Sequence, residues 1–328
     1  MALVPFCFSC ARGKANLPMV TEVRRTLGHI YGISAGPDNV IWFIDGQSIE
    51  RLGLGGWLSA HHVGRATALA AGNDGNIWFT SESYPNGVAT LANLVGRVGR
   101  MTTDGRVTLY TLPDADALPF AIMAGPLQSM WFTEAGADKI GRIDRAGRLT
   151  EYALPHKGSH PQSITVDDAG NVWFTEAFRN TIGRLSPNGK ISEFPISRDA
   201  RPFRGDLLLS GIAYGTSGKI WFTELATDTI GSMDQNGVVH KDRLAPESGP
   251  GAIVFGPDGN MWFVEGGARR MIGRITSRSE VSEYSIPTEA SPTGIIVGPD
   301  KNLWFSEAYP IATLYTYFPG GIGKVTLH

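Results

Sequence analysis

The sequence has 328 residues, with 29 Lys plus Arg against 31 Asp plus Glu, which gives a formal net charge of −2. It contains no block of Lys or Arg that could follow a phosphate backbone, so we expect no nucleic-acid partner. A hydrophobic content of 42% can supply a sizeable core. No stretch approaches the roughly 18 uninterrupted apolar residues of a membrane span, so we expect no membrane partner.

The first residues carry no recognisable targeting or metal-binding signal. Cys7 and Cys10 are the two cysteines of the chain, and no second pair or His cluster accompanies them, which argues against a disulfide framework and a zinc site. The opening apolar run lacks a basic region before it and a cleavage site after it. We expect a cytoplasmic protein with an N-terminal tail at residues 1–16 and a single domain at residues 17–328.

The dipeptide Trp-Phe recurs seven times and defines an internal repeat. The repeated dipeptides begin at Trp42, Trp78, Trp131, Trp173, Trp221, Trp262 and Trp304. Their spacings are 36, 53, 42, 48, 41 and 42 residues, which indicates a unit of about 42 residues with two insertions. Glycine accounts for 41 of 328 residues, well above the usual share of roughly 7%, and this excess indicates many tight turns.

The clearest copy of the repeat spans residues 161–195. It reads as four short apolar segments, SITV, VWFTE, TIGRLS and KISEFPI, separated by turn residues, and this pattern is typical of four antiparallel strands. Seven such sheets packed around an axis bury the faces that one sheet would expose. We therefore predict an all-β fold, a seven-bladed β-propeller. The absence of amphipathic helical windows between the strands excludes TIM-barrel and doubly wound folds.

The two ends of the repeat array complement each other. The last copy finishes with GIGKVTLH and lacks an outer strand, whereas an extra strand, MVTEVRRTL, precedes the first copy. We predict that this N-terminal strand completes the seventh blade and closes the ring, which removes two open sheet edges.

The motifs xPxxI, WFTE, IGRI and EYxLP make the chain from residue 20 to residue 328 resemble the streptogramin lyase (virginiamycin B lyase) family of seven-bladed propellers. The resemblance implies a lyase that linearises a cyclic depsipeptide antibiotic by elimination across its ester bond. It also implies a histidine base, a supporting glutamate and Mg²⁺. The residues themselves predict no cofactor and no metal site.

The catalytic positions that the resemblance implies are mostly occupied by other residue types. Gly251 and Thr293 stand at the two histidine positions, and Ser291 and Ala308 stand at the two glutamate positions. The family's tyrosine is matched by Tyr31. We therefore expect that the chain lacks the family's His/Glu machinery and is not a competent streptogramin lyase.

The strand order predicts which face of the propeller carries the site. In an antiparallel blade the start of the first strand and the end of the second strand share one face, which we call the mouth. Seven residues follow the Pro position there: Tyr31, Thr67, Phe120, Gln162, Ser210, Gly251 and Thr293. We predict Thr67, Phe120, Gln162, Ser210 and Thr293 as substrate contacts, together with Phe178 in the next loop of the fourth copy.

A carboxylate follows each Trp-Phe pair on the same face, one residue later in the second copy than in the others. These residues are Asp45, Glu82, Glu134, Glu176, Glu224, Glu265 and Glu307. They could form a cation site. We favour a structural role instead, such as a charge-assisted bond to a backbone N–H or to the arginine of the IGR motif. The Trp-Phe pairs likewise predict core between blades rather than a ligand cage.

Two apolar insertions interrupt the repeat on the mouth side. One begins at Tyr84 and the other begins at Tyr309 and includes Tyr315 and Tyr317. Exposed apolar loops indicate a lid over an apolar ligand, and we predict these four tyrosines as substrate contacts. Two alternatives remain open: the insertions pack on each other, or they form a dimer patch.

Polar residues in other mouth loops complete the predicted site. Phe203 and Arg204 lie in an arginine-rich loop that could hold an anionic group, although a solvated loop with local ion pairs is the alternative. His29 and His160 are the candidate general bases. Together with Tyr31 and Glu307 they form the predicted catalytic set.

Two functions fit this pattern. One is an enzyme of natural-product metabolism that performs elimination, rearrangement or ring closure on a largely apolar macrocyclic or polyketide-like substrate, for which an apolar pocket can supply orientation. The other is a non-catalytic binding or sequestering propeller. A calcium-dependent lactonase-type propeller is a third and weaker candidate. We expect an apolar small-molecule partner and a monomer or weak dimer.

Overall fold

The computed structural model describes residues 18–25, 30–83, 94–197, 209–308 and 320–327. These residues form seven antiparallel sheets of four strands each. The predicted tail at residues 1–16 lies outside the described residues. Within the described ranges, no helix has the length and apolar character needed to cross a bilayer.

Each sheet is one blade, numbered in chain order with its innermost strand first. Blade 1 contains β2 (Ile30–Ala35), β3 (Ile41–Asp45), β4 (Ser48–Leu52) and β5 (Leu58–His62). Blade 2 contains β6 (Ala66–Ala71), β7 (Ile77–Ser83), β8 (Val95–Met101) and β9 (Val107–Thr111). Blade 3 contains β10 (Pro119–Gly125), β11 (Ser129–Glu134), β12 (Lys139–Asp144) and β13 (Leu149–Ala153).

The next three blades repeat this order. Blade 4 contains β14 (Pro161–Val166), β15 (Val172–Glu176), β16 (Thr181–Leu185) and β17 (Ile191–Pro195). Blade 5 contains β18 (Leu209–Tyr214), β19 (Ile220–Glu224), β20 (Thr229–Met233) and β21 (Val239–Arg243). Blade 6 contains β22 (Pro250–Phe255), β23 (Met261–Glu265), β24 (Met271–Ile275) and β25 (Val281–Ser285). Three short 3₁₀ turns lie at Pro126–Gln128, Thr216–Gly218 and Leu225–Thr227.

Blade 7 joins strands from both ends of the described chain. It contains β26 (Ser291–Val297), β27 (Leu303–Ala308) and β28 (Gly321–Thr326), and β1 (Met19–Arg25) is its outer strand. β1 pairs antiparallel with β28 from Met19 opposite Thr326 to Arg25 opposite Gly321. The predicted closure of the ring by the N-terminal strand is confirmed.

The seven innermost strands form a closed ring around the central channel. Each one contacts the innermost strand of the blade before it and of the blade after it, and β26 contacts β2. The predicted seven-bladed β-propeller is therefore confirmed.

The Trp-Phe pairs form the core between blades. Each tryptophan packs in one buried cluster with the phenylalanine of the following blade, as Trp42 does with Phe79 and Trp304 does with Phe43 across the closure. The other five pairs are Trp78–Phe132, Trp131–Phe174, Trp173–Phe222, Trp221–Phe263 and Trp262–Phe305. The repeat unit thus carries both halves of an interface, which explains why the blades can stack only as a series.

The glycine of the IGR motif makes room for the phenylalanine ring. In blade 4, Gly183 lies opposite Phe174 in the strand register, and a Cβ atom at Gly183 would overlap that ring. The arginine of the motif lies one residue further along. Arg184 therefore faces Trp173 and covers its ring at 5.2 Å.

Candidate functional site at the channel mouth

The strand register brings the predicted site residues to one face of the propeller. Pro161 is opposite Glu176, and Pro250 is opposite Glu265. The start of each innermost strand and the carboxylate after Trp-Phe therefore lie at the same end of the blade. This end is the mouth that the strand order predicts.

A β-bulge shapes the start of every innermost strand. In blade 4 the register shifts between Pro161 and Ile164, and the equivalent shift occurs in the other six blades. Bulges re-aim side chains and leave backbone groups without ladder partners. The residue after the Pro position therefore lies at a point where its backbone needs another hydrogen-bond partner.

A threonine hydroxyl supplies that partner at four blade junctions. Thr223 accepts a hydrogen bond from Gly211 N at 2.7 Å in its own blade and donates to Gly251 O at 2.8 Å in the next blade. The same arrangement is formed by Thr80, Thr133 and Thr175 with the carbonyls of Phe120, Gln162 and Ser210. We call the junctions from blade 2 to blade 6 the stapled half of the mouth.

The remaining three junctions use other residues at the threonine position. Ile44 in blade 1 and Val264 in blade 6 have no hydroxyl, and Ser306 in blade 7 pairs at 3.0 Å with Thr293 of its own blade. We call the junctions from blade 6 through blades 7 and 1 to blade 2 the threonine-free half. It contains Tyr31 and Thr293 at its inner strands, and Gly251, whose carbonyl is held by Thr223, lies at its boundary with the stapled half.

Five of the repeated carboxylates are buried at the mouth end of their blades. Glu134, Glu176, Glu224, Glu265 and Glu307 have 0 to 2% of their surface exposed. Lys241 Nζ lies 2.9 Å from Glu224, and the Thr288 hydroxyl donates to Glu307 at 2.7 Å. The arginine of IGR is not their partner, because the register places that arginine opposite tryptophan.

Burial changes the acidity of three of these carboxylates. Loss of solvation raises the pKa of Glu134 to about 8, and the nearby Glu151 carboxylate adds to the rise against the opposing effect of Lys139. Burial also raises the pKa of Glu176 and of Glu265 to about 7. Burial therefore shifts these carboxyls toward the protonated form near neutral pH, which suits a structural role.

One group of carboxylates has the chemistry of a cation site. Oxygens of Asp114, Glu134 and Glu151 lie within 4.8 Å of one another. Lys139 Nζ already lies 2.5 Å from Asp114 and 2.8 Å from Glu151. Mg²⁺ prefers oxygen ligands, but it would have to displace this ammonium group, so these residues do not fit the Mg²⁺ that the family resemblance implies.

His160 is the described histidine nearest to the predicted chemistry. It immediately precedes Pro161, and its ring stacks on Phe178 at 4.2 Å with an angle of 8° between the planes. Burial lowers the pKa of His160, partly opposed by the Asp138 carboxylate. The imidazole is therefore neutral at pH 7 and has the protonation state of a general base.

Three exposed apolar side chains lie on the stapled half of the mouth. Phe120 is 50% exposed, Phe178 is 53% exposed and Leu225 is 46% exposed, and they belong to the consecutive blades 3, 4 and 5. Phe120 lies at a bulge, whereas Phe178 and Leu225 follow second strands. We call these three residues the apolar arc. Leu225 was not predicted from the sequence, although it directly follows WFTE in blade 5 and Phe178 stands two residues after WFTE in blade 4.

The other predicted contacts differ in accessibility. Thr293 is exposed, Thr67 and Ser210 are half-buried, and Gln162 is buried. Thr67 donates to Pro119 O at 2.9 Å, and Glu307 is buried against Thr288. Tyr31 belongs to β2, and its side chain is not among those described. His29, Tyr84, Phe203, Arg204, Tyr309, Tyr315 and Tyr317 lie outside the described residues, as do both apolar insertions.

The fold and the mouth define a seven-bladed propeller whose blades are joined by Trp-Phe packing. The virginiamycin B lyase family matches residues 19–203 and 204–313. The chain belongs to this family. No match was found among curated proteins.

Solved structures of lyases share the whole architecture. Virginiamycin B lyase from Staphylococcus aureus is 30% identical, with a TM-score of 0.78 over 95% of this chain and 99% of that chain. A catalytically inactive variant from Staphylococcus aureus with quinupristin is 31% identical, with a TM-score of 0.78 and the same coverage. A streptogramin B lyase is 30% identical, with a TM-score of 0.79 over 95% of this chain and 98% of that chain.

Proposed function

We propose that this protein binds a largely apolar macrocyclic or polyketide-like natural product at the channel mouth and promotes its elimination, rearrangement or ring closure. The observation that carries the proposal is the apolar arc of Phe120, Phe178 and Leu225. Large side chains that are about half exposed on neighbouring blades form a surface that an apolar ligand can cover. Membership of a lyase family supports a reaction at the same mouth.

The chemistry cannot use the histidines of the family, because Gly251 and Thr293 have no basic side chain. In an ester elimination a base removes the α-proton, a carbon–carbon double bond forms, and the ester C–O bond breaks to release a carboxylate. His160 is the candidate base, since burial lowers its pKa and keeps the imidazole unprotonated near pH 7. Ring closure does not require a strong base, because an apolar surface can accelerate it by holding the two reacting ends together in the correct orientation.

Binding is tested with quinupristin, the ligand bound to the relative's structure, by isothermal titration. We expect Phe178→Ser and Phe120→Ser to weaken binding by about tenfold each, since each removes a large apolar contact. Val238→Ser is the matched control, because Val238 is 68% exposed in a turn on the opposite face. Equal affinities of all three variants and the wild type would contradict the mouth as the site.

Turnover is tested by chromatography of quinupristin incubated with and without Mg²⁺. We expect no Mg²⁺-dependent linearisation above background, because general base catalysis typically contributes about 10² to 10⁴ in rate and the family's bases are missing. Efficient linearisation would overturn that expectation. His160→Ala should then abolish it, while His156→Ala should not, because His156 is exposed and paired with Glu193.

A sequestering function is the second candidate. It is favoured by the burial of the mouth carboxylates and by the contacts that Lys241 and Thr288 make with two of them. The two functions differ in the fate of the ligand. Recovery of unchanged ligand from a stable complex after long incubation favours sequestration, and a new chromatographic species favours catalysis.

A further inference from the structure

A second feature lies on the face opposite to the mouth, where the first and second strands of each blade are joined. In four blades an aspartate four residues before the repeat tryptophan accepts a hydrogen bond from the indole Nε1–H at 2.9 to 3.1 Å. These aspartates are Asp38, Asp74, Asp258 and Asp300. In blade 4, Asp167 does the same for Trp173 at 2.8 Å.

The same carboxylate also faces a cation on the third strand. Arg51 lies 2.5 Å from Asp38, Lys324 lies 2.8 Å from Asp300, and Arg274 lies 3.8 Å from Asp258. Each of these cations also covers the tryptophan ring of its blade. The repeat therefore builds a small polar unit of indole, cation and carboxylate.

Blade 3 keeps the indole and the cation but has lost the carboxylate. Its segment 125–131 reads GPLQSMW, against GPDGNMW at 256–262 in blade 6, so Leu127 stands where blade 6 has Asp258. Trp131 is 6% exposed, and its Nε1–H has no hydrogen-bond acceptor among the residues that the structure describes. Arg142 covers the Trp131 ring at 5.7 Å and donates from Nε to Ser129 at 3.0 Å.

Blade 5 also lacks the carboxylate, but it lacks the cation as well. Ser217 stands at the aspartate position of blade 5, and Ser232 lies opposite Trp221, where other blades place their cation. Carboxylate and cation are therefore lost together in blade 5. In blade 3, by contrast, Arg142 remains without an ion-pair partner among the described residues. The vacancy in blade 3 has the charge and the hydrogen-bonding pattern of a missing carboxylate.

A cavity of about 240 Å³ lies at this vacancy, between blades 3 and 4. Trp131 and Arg142 line it together with Tyr152, Leu127, Leu185 and Pro187. Leu127 is 75% exposed at its rim. The cavity thus combines one buried donor and one guanidinium with apolar walls, and its volume limits the ligand to a small molecule.

We propose that this cavity binds a small monocarboxylate that carries an apolar or aromatic group. One carboxylate oxygen accepts the hydrogen bond of Trp131 Nε1–H, and the guanidinium of Arg142 pairs with the carboxylate. The apolar group lies against Leu127, Tyr152 and Pro187. This site is on the face opposite to the mouth and does not depend on the function proposed there.

The test uses benzoate as the probe and benzamide as its uncharged match, measured by isothermal titration with the full chain. We expect saturable benzoate binding with a Kd of about 0.1 to 10 mM, as suits a small ligand. Benzamide should bind at least about tenfold more weakly, because it cannot pair with Arg142. In a ¹H–¹⁵N spectrum, benzoate should shift one tryptophan indole resonance. Equal binding of the two probes, or no saturation by benzoate, would overturn the proposal.

Two variants locate the site. Arg142→Met should weaken benzoate binding at least about tenfold, while Arg184→Met, at the same position in blade 4 where Asp167 is present, should leave it unchanged. Leu127→Asp places a carboxylate at the rim of the cavity, where its charge repels the probe, so it should also weaken benzoate binding. Unchanged affinity in either Arg142→Met or a folded Leu127→Asp variant would refute the assignment to this cavity.

Discussion

The two halves of the mouth are built on the same repeat but hold their inner strands differently. On the stapled half, four threonine hydroxyls join each bulged strand to the next blade, and the apolar arc lies on this support. On the threonine-free half, Ile44, Val264 and Ser306 replace the threonines, and Tyr31 and Thr293 lie on its inner strands. The comparison indicates that the apolar arc has the more firmly held support, because each junction of the stapled half has an added side-chain hydrogen bond to the backbone of the next blade.

The largest expected effect comes from removing the strand on which the threonine-free half depends. Deletion of residues 1–16 leaves β1 intact and should change the melting temperature little. Deletion through Leu27 removes β1 and exposes the edge of β28, so the protein should unfold at a much lower temperature or aggregate. Thermal unfolding of the two truncations checks this, and equal melting temperatures would contradict the contribution of β1 to closure.

A medium effect is expected from exchanging the residues that distinguish the halves. Thr223→Val leaves Gly211 N and Gly251 O without their partner, so the free energy of unfolding should fall by about 1 to 3 kcal/mol. The reverse change, Val264→Thr, adds a hydroxyl at a junction that is folded without one and should stay within about 1 kcal/mol. Chemical denaturation measures both. If Val264→Thr costs as much as Thr223→Val, the threonines do not distinguish the two halves.

The buried carboxylates predict a pH dependence of stability. Their folded pKa values of about 7 to 8 lie above the ordinary value of 4.5, so the folded state binds protons more tightly than the unfolded state. The stabilisation is complete below the ordinary pKa and is lost as the pH rises through 7 to 8. The contribution of these groups to the melting temperature should therefore fall between pH 5 and pH 8.

Glu134→Gln checks that pH dependence, because it mimics the protonated carboxyl. It should match the wild type near pH 4, below the ordinary pKa, and exceed its melting temperature by a growing margin as the pH rises to 8.5. Glu224→Gln is the control, since it removes the partner of Lys241 and should be destabilising at both pH values. A wild type whose stability rises steadily up to pH 8.5, with no gain from Glu134→Gln, would show that the Glu134 carboxyl is ionised when folded.

The smallest effect is expected at an exposed position of the threonine-free half. Thr293→His introduces the residue type that the family resemblance places there, and the free energy of unfolding should change by less than about 0.5 kcal/mol, as at most exposed positions. Denaturant titration measures this change. A larger loss would mean that the pairing of Thr293 with Ser306 supports the mouth as strongly as a threonine staple does.

The architecture could be predicted from the sequence because each repeat contains both the tryptophan and the phenylalanine that pack between blades. Trp173 and Phe222 lie in different blades, yet their spacing and burial follow from a periodic pattern of apolar residues and turns. The extra strand before the first copy and the missing strand after the last copy predicted the closure for the same reason. These features depend on nearest-neighbour contacts, which a one-dimensional pattern records.

The details of the mouth could not be read from the same pattern. A bulge of the strand at Gln162 does not alter the apolar periodicity, so the role of Thr133 in holding its carbonyl emerges only from three-dimensional register. The direction of the IGR arginine depends on that register as well. The sequence shows that blade 3 has Leu127 at the repeat position where blade 6 has Asp258. The resulting cavity could not be predicted, because that requires knowing that Trp131 and Arg142 lie together at this position.

The pairing of β1 with β28 has a consequence for biosynthesis. Thr21 and Lys324 are hydrogen-bonded neighbours although they are 303 residues apart in the chain. At about 5 to 20 residues per second, a ribosome needs roughly 15 to 60 s to make the intervening segment. During that time β1 is exposed without its partner, and its companion edge does not yet exist. Nascent chains are therefore vulnerable to intermolecular strand pairing until the last strand emerges, and translation speed should influence the yield of closed rings.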